Sequence, residues 1–155
     1  MQILLVAILC SGLVFVSCKG DKRNEPFTTG MEGKSLPEFS IQLLDSVSWL
    51  NFKDISAGKR LIIFYYSPLC PYCRAQMRDM VNNMESLKEE QMYVLTNADL
   101  PSIEQFANYF DLNSYPNVVV GRDTGSVILQ KYRLMSVPFT AYFDENKKLK
   151  VAYVG

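Results

Sequence analysis

Apolar residues along this chain fall into runs whose spacing changes from segment to segment, and those changes mark out the elements. The first run, Ile3 to Val16, is broken only by Ser11 and Gly12. At about fourteen residues it is short of the roughly twenty that span a bilayer comfortably, but it has the length of a signal-peptide core. From Lys19 to Lys34 the chain is polar and rich in charge, Gly and Thr. With so little apolar surface to bury, this segment is expected to be a flexible tether. Leu36, Phe39, Ile41 and Leu43 alternate in part and predict a strand, Asp45-Ser46 a turn, Val47 to Phe52 a second short strand, and Lys53 to Gly58 a helical turn. Leu61, Ile62, Ile63, Phe64, Tyr65 and Tyr66 then form an unbroken aromatic and aliphatic run, the pattern of a buried central strand.

Beyond it the period changes. Cys73, Met77, Met80, Val81, Met84 and Leu87 recur every three or four residues, which predicts an amphipathic helix from 71 to about 90 with its methionines in the core. Met92 to Asn97 is the next strand, and a strand-helix-strand crossover implies parallel pairing with the central strand. Pro101-Ser102 opens a helix with Ile103, Phe106, Ala107 and Phe110 on one face, ended by Tyr115-Pro116. Asn117 to Val120 reads as a strand, and Asp123-Thr124 as the cap of a helical piece holding Val127, Ile128 and Tyr132. Two strands, from Ser136 to Asp144 and from Leu149 to Val154, flank a polar turn and make a hairpin. Pro138 belongs at its strand entrance, because proline cannot donate within a central ladder. The fold class is α/β, with 155 residues and 48% apolar content giving one domain a proper core.

The chemistry sits where the central strand leaves through Ser67-Pro68-Leu69 into Cys70-Pro71-Tyr72-Cys73. Pro71 suits the first helical position, which puts Cys70 at the N-cap, facing the unpaired amides of the first turn. Those amides and the positive end of the helix dipole favour a negative sulfur, so Cys70 is the expected nucleophile. Cys73, one turn further in, is placed to attack a mixed disulfide on Cys70 and release the substrate. A structural disulfide and half of a zinc site are the alternatives. Zinc needs about four ligands, and with no His and no second Cys pair no metal is expected. No cofactor is implied.

Charge excludes one class of partner. Sixteen basic residues balance sixteen acidic ones, and the only basic run, Lys147-Lys148 with Lys150, fits a solvated hairpin, so nucleic acid is not an expected partner.

The remaining cysteines, Cys10 and Cys18, lie in or at the end of the N-terminal apolar run. The sequence Val14-Phe15-Val16-Ser17-Cys18 resembles the lipobox of bacterial lipoproteins, which implies removal of residues 1–17, diacylation of Cys18, and a tether over 18–34. Met1-Gln2 lacks the usual positive charge of such a signal. An uncleaved anchor helix is the alternative. Both place the domain, 35–155, on the exported, periplasm-facing side of a bacterial membrane, where disulfide chemistry is open.

Leu36-Pro37-Glu38-Phe39-Ser40, then Gly58-Lys59-Arg60 and the central strand running into Cys-x-x-Cys, then Val137-Pro138-Phe139-Thr140 before a hairpin, together resemble the redoxin branch of the thioredoxin superfamily, specifically TlpA-like thiol:disulfide oxidoreductases. The resemblance runs from about Ser35 to Gly155. It implies a thioredoxin-like fold, a central mixed sheet flanked by helices with an N-terminal strand extension. It implies a cis proline at Pro138 facing the dithiol, and a substrate site of Pro71, Tyr72, Val137 and Pro138 in which the Val137 backbone pairs with the substrate chain. Its partners are proteins with thiols or disulfides, and a separate redox partner. The chain departs from the family pattern at three places. Phe64 stands where many thioredoxins carry a buried Asp, Gln76 where cytochrome c maturation relatives carry a Glu, and Leu69 where a Trp is common. Cys73 is thus expected to lack a local base. The sequence stops at Gly155, where relatives continue into a helix, so one sheet face is expected to be less covered.

Two other functions fit parts of the pattern. Ser67-x-x-Cys70 matches the spacing of a peroxiredoxin's peroxidatic site, although Ile63 stands where that motif has a proline. A lipoprotein using the scaffold only to bind, its dithiol locked, is the non-enzymatic reading.

Overall fold

A computed structural model describes residues 25–155. Seven strands form one mixed sheet: β1 (Ser40–Leu43), β2 (Trp49–Asn51), β3 (Leu61–Tyr65), β4 (Gln91–Thr96), β5 (Val118–Arg122), β6 (Phe139–Phe143) and β7 (Leu149–Val154), in the spatial order β2-β1-β5-β4-β3-β6-β7. β3 pairs in parallel with β4, and β4 with β5, whereas β1 lies antiparallel to β2 and β5, and β6 antiparallel to β3 and β7. This is the thioredoxin-like arrangement with the N-terminal strands added at one edge.

All five residues of β3 are buried, so its alternation serves two cores instead of one core and water. Ile62 and Phe64 face α1 (Pro71–Asn82), α2 (Met84–Leu87) and α3 (Leu100–Tyr109), in a cluster with Cys73, Met77, Met80, Ile103 and Phe106. Leu61, Ile63 and Tyr65 face the other side, where Phe39, Ile41, Phe52, Phe139 and α4 (Val127–Lys131) close over them. Phe39 stacks on Phe52 with ring centroids 4.1 Å apart, which fastens the N-terminal strands to this second core.

Three local expectations need correction. Residues 25–34 are not all tether: the Phe27 N–H donates to Ala152 O at 2.7 Å, the Gly33 N–H to Leu149 O at 2.8 Å, and Phe27 and Met31 pack on the second core. Two apolar side chains and the unpaired edge of β7 hold this stretch in place. The helix expected through residue 90 breaks at Asn83, whose φ of −112° and ψ of 17° leave the helical region, and whose side chain donates to Asp79 O at 2.8 Å. The strand expected at Asn117–Val120 runs on through Arg122, because Gly121 packs closely on Ile41 of β1: a Cβ there would stand 2.6 Å from Ile41 Cδ1. The cap expected at Asp123 is present: Ser126, at φ 51°, precedes the first residue of α4 and makes no side-chain cap bond, and Asp123 supplies the acceptors. Its fully buried carboxylate accepts the Val127 and Ile128 amides at 2.9 and 3.0 Å.

Candidate active site

The dithiol follows from the way β3 hands over to α1. After Tyr65 the chain turns so that the Cys70 N–H donates to Ser67 O at 3.1 Å, and α1 begins at Pro71. Cys70 is the N-cap residue, with extended backbone, and its sulfur accepts the Cys73 N–H at 3.1 Å. A sulfur thus does the task that a Ser or Asp oxygen does at most helix starts. Cys70 Sγ also lies 3.8 Å from the Val137 carbonyl, toward which its thiol points across 67 residues of sequence. Both cysteines are free thiols.

Their environments differ. Cys70 is partly exposed, whereas Cys73 is fully buried in the cluster that holds Phe64, Tyr66 and Met77. Burial, reinforced by the Cys70 sulfur, pushes the Cys73 thiol up to about 12. Phe64, fully buried on β3, brings no carboxylate to it.

The Val137–Pro138 peptide is cis, and the Pro138 carbonyl accepts the Gly155 N–H at 2.9 Å. Pro71 and Tyr72 lie exposed on the outside of α1's first turn. A groove of about 780 Å³ opens beside them, with Tyr72, Gln76 and Asp79 of α1 on one wall and Pro138, Tyr142 and Tyr153 on the other. The structure therefore brings together all six expected site residues of the domain: Cys70, Pro71, Tyr72, Cys73, Val137 and Pro138. Cys18 lies outside the described residues, as do Cys10 and the signal segment.

Two features of the site escaped the sequence reading. Gln76 is not an idle replacement for a Glu, since its amide donates to Thr140 Oγ1 at 2.9 Å and ties α1 to β6. Arg74 is drawn onto an aromatic cluster, with its guanidinium carbon 4.3 Å from the Tyr109 ring centroid and Nη1 3.4 Å from Pro68 O. Both are pairings of distant residues, and only a basic residue followed by aromatics thirty positions on could have hinted at the second.

A protein-family model described as the AhpC/TSA family matches residues 33–153, a span that starts before β1 and includes the dithiol and the β6–β7 hairpin. The chain belongs to the AhpC/TSA family. Solved structures agree on the fold. A secreted disulfide oxidoreductase of Mycobacterium tuberculosis, homologous to E. coli DsbE, superposes with a TM-score of 0.63 at 16% identity, covering 76% of this chain and 84% of its own. DsbF of the same organism, in mixed oxidised and reduced forms, gives 0.63 at 19% identity, with the same coverage. The thioredoxin domain of a thiol-disulfide oxidoreductase from Bacteroides vulgatus gives 0.62 at 17% identity over 78% and 86%. No curated protein matches the chain. Within the AhpC/TSA scaffold, Ser67 sits where a peroxidatic hydroxyl would be expected, but it contributes its backbone carbonyl to the turn, and the guanidinium of Arg74 is engaged with Tyr109 and Pro68.

Proposed function

We propose that this chain is an exported, membrane-tethered thiol:disulfide oxidoreductase that exchanges disulfides with protein cysteines through Cys70. One observation carries the reading: Cys70 caps α1 with its sulfur, partly exposed, while Cys73 waits fully buried one turn behind it. In the reducing direction the Cys70 thiolate attacks a substrate disulfide, forming a mixed disulfide and expelling one substrate thiolate. Cys73, having lost its proton, then attacks Cys70 Sγ, expels the second thiolate and leaves Cys70–Cys73 oxidised. Two electrons and two protons pass to the substrate, and a separate dithiol donor must restore the pair. In this role the Val137 backbone would pair with the extended substrate chain beside Pro138, and Pro71 and Tyr72 would border it. The solved neighbours named as disulfide oxidoreductases support the reading through the shared fold.

The test is a comparison of substrates. The reduced protein should reduce insulin-type disulfides and leave hydrogen peroxide nearly untouched; rapid peroxide consumption with little disulfide reduction would favour a peroxiredoxin, and inertness toward both a binding module.

The tether forms a separate part of the proposal, resting on Ser17-Cys18 at the end of the apolar run. A diacyl chain there would bury enough methylene groups, at about 0.8 kcal/mol each, to hold the domain at a membrane face. In Cys18→Ala, acyl labelling should vanish and the protein should leave the membrane fraction or stay unprocessed. Labelling that persists would remove Cys18 as the acceptor.

A further inference from the structure

Two guanidinium groups stand together on the flank of α1 that meets α3. Arg74 and Arg78 are one helical turn apart, and like charges at that spacing repel. Both nonetheless converge on Tyr109: the Arg74 guanidinium carbon lies 4.3 Å from its ring centroid, and Arg78 Nη2 donates to its hydroxyl at 3.5 Å. No carboxylate among the described residues comes within 4.0 Å of either guanidinium, although Arg60 and Lys88 both have such partners. Asp79 belongs to a different flank, since it lines the groove with Tyr72, Ala75 and Gln76, all about 100° or more round α1 from Arg74. Glu104 stands five positions before Tyr109, about 140° round α3. Tyr109 is 59% exposed and Arg78 is exposed beside it, so the pair of charges faces water. Together they hold the Tyr109 hydroxyl below its usual pKa, Arg78 foremost and Arg74 after it.

We infer that Arg74 and Arg78 receive carboxylates of the protein that exchanges disulfides with Cys70, so that acidic residues around a partner's cysteine favour its reaction. The inference rests on the disulfide-exchange reading above and deepens it. Position selects the occupant. Arg74 follows Cys73 directly, and its Nη1 lies 3.4 Å from Pro68 O in the turn that leads to Cys70, so a protein whose cysteine reaches Cys70 Sγ covers the start of α1 and meets this flank. A lipid headgroup seated there would instead crowd that protein off the dithiol. Arginine suits carboxylates because its planar fork offers two parallel donors, and a guanidinium already fixed on an aromatic ring loses less freedom on taking one. The formal net charge of the chain is zero, so a preference for acidic partners has to come from a local patch such as this and not from the molecule as a whole.

Three peptide disulfides of equal length provide the test, differing only in whether Glu, Gln or Lys flanks the cysteine on both sides. With the full chain in its reduced form at low salt, the second-order rate of reduction should be on the order of tenfold higher for the Glu peptide than for the Gln peptide, as two exposed ion pairs and local steering allow, and lowest for the Lys peptide. At about 1 M salt, where charges are screened beyond about 3 Å, the ratio should fall toward one. It should also fall toward one in the double variant Arg74→Gln with Arg78→Gln, and Arg78→Glu should turn the preference toward Lys. Because the ratio compares substrates of the same dithiol, a variant that only altered sulfur reactivity or stability would leave it unchanged. Equal rates for the three peptides in the parent protein, beside normal reduction of the uncharged bis(2-hydroxyethyl) disulfide, would overturn the carboxylate site while sparing disulfide exchange. Failure to reduce any of the four disulfides would overturn both. If phosphatidylglycerol vesicles slowed reduction of the Gln peptide by the parent protein but not by the double variant, the arginines would belong to a lipid surface and the inference would fall.

Discussion

Cys70→Ala should abolish disulfide reduction and capture no substrate, whereas Cys73→Ala should also fail to turn over but accumulate mixed disulfides on Cys70. The loss should be on the order of a thousandfold or more in each case, since removing one member of a group that acts as a unit costs nearly as much as removing all of it. The asymmetry has a geometric origin. Cys70 Sγ is partly exposed and held in place by the Cys73 N–H that it accepts; Cys73 has no exposed surface from which to meet a partner. Pull-downs from the two variants, compared by mass spectrometry without reductant, decide the matter. Equal trapping by both would overturn the assignment of nucleophile and resolving thiol.

The dithiol was legible in the sequence because every element of it is local. A buried run ends, proline starts a helix, and two cysteines fall at its N-cap and third position, so spacing alone sets their roles. The two-sided burial of β3 and the parallel β3–β4 pair were legible for the same reason. The position of β5 was not. It inserts between β1 and β4, and β1 lies some eighty residues earlier in the chain, joined to it by a close approach at Gly121 that leaves no periodic trace. Phe27 and Met31 illustrate another limit: two apolar residues in a charged stretch carry no period, and only the open edge of β7 gives them a place. The Gln76–Thr140 bond was hidden because a departure from a family's usual residue says what is missing and not what replaces it.

Cys73 links this reactivity to a second large effect, unfolding in alkali. Burial pushes the thiol up to about 12, and likewise raises Tyr93 and Tyr132 to about 12. Tyr65 and Tyr66 are raised as well, first by burial and then by Asp123 and Cys73 respectively, and neither hydroxyl has a hydrogen-bond partner among the described residues. All five groups are at most 3% exposed. In the unfolded chain tyrosines ionise near pH 10 and a thiol near 8.5. Above those values the unfolded state binds fewer protons than the folded one, so stability falls as pH rises, by about 1.4 kcal/mol per group and pH unit until the folded group ionises too. Below about pH 8 the effect is absent. At about pH 11 four tyrosines and one thiol together cost on the order of 9 kcal/mol, comparable with the 5–15 kcal/mol that holds a typical domain together. The fold should therefore collapse cooperatively near pH 11, with tyrosinate absorbance and loss of near-ultraviolet circular dichroism rising together. Urea midpoints, flat through neutral pH, should drop steeply above about pH 9, where the thiol contributes first. Gradual tyrosine ionisation centred near pH 10 in a protein that keeps its near-ultraviolet signal would show that these hydroxyls reach water without unfolding, and the two closed cores on either side of β3 would then be more open than their packing indicates.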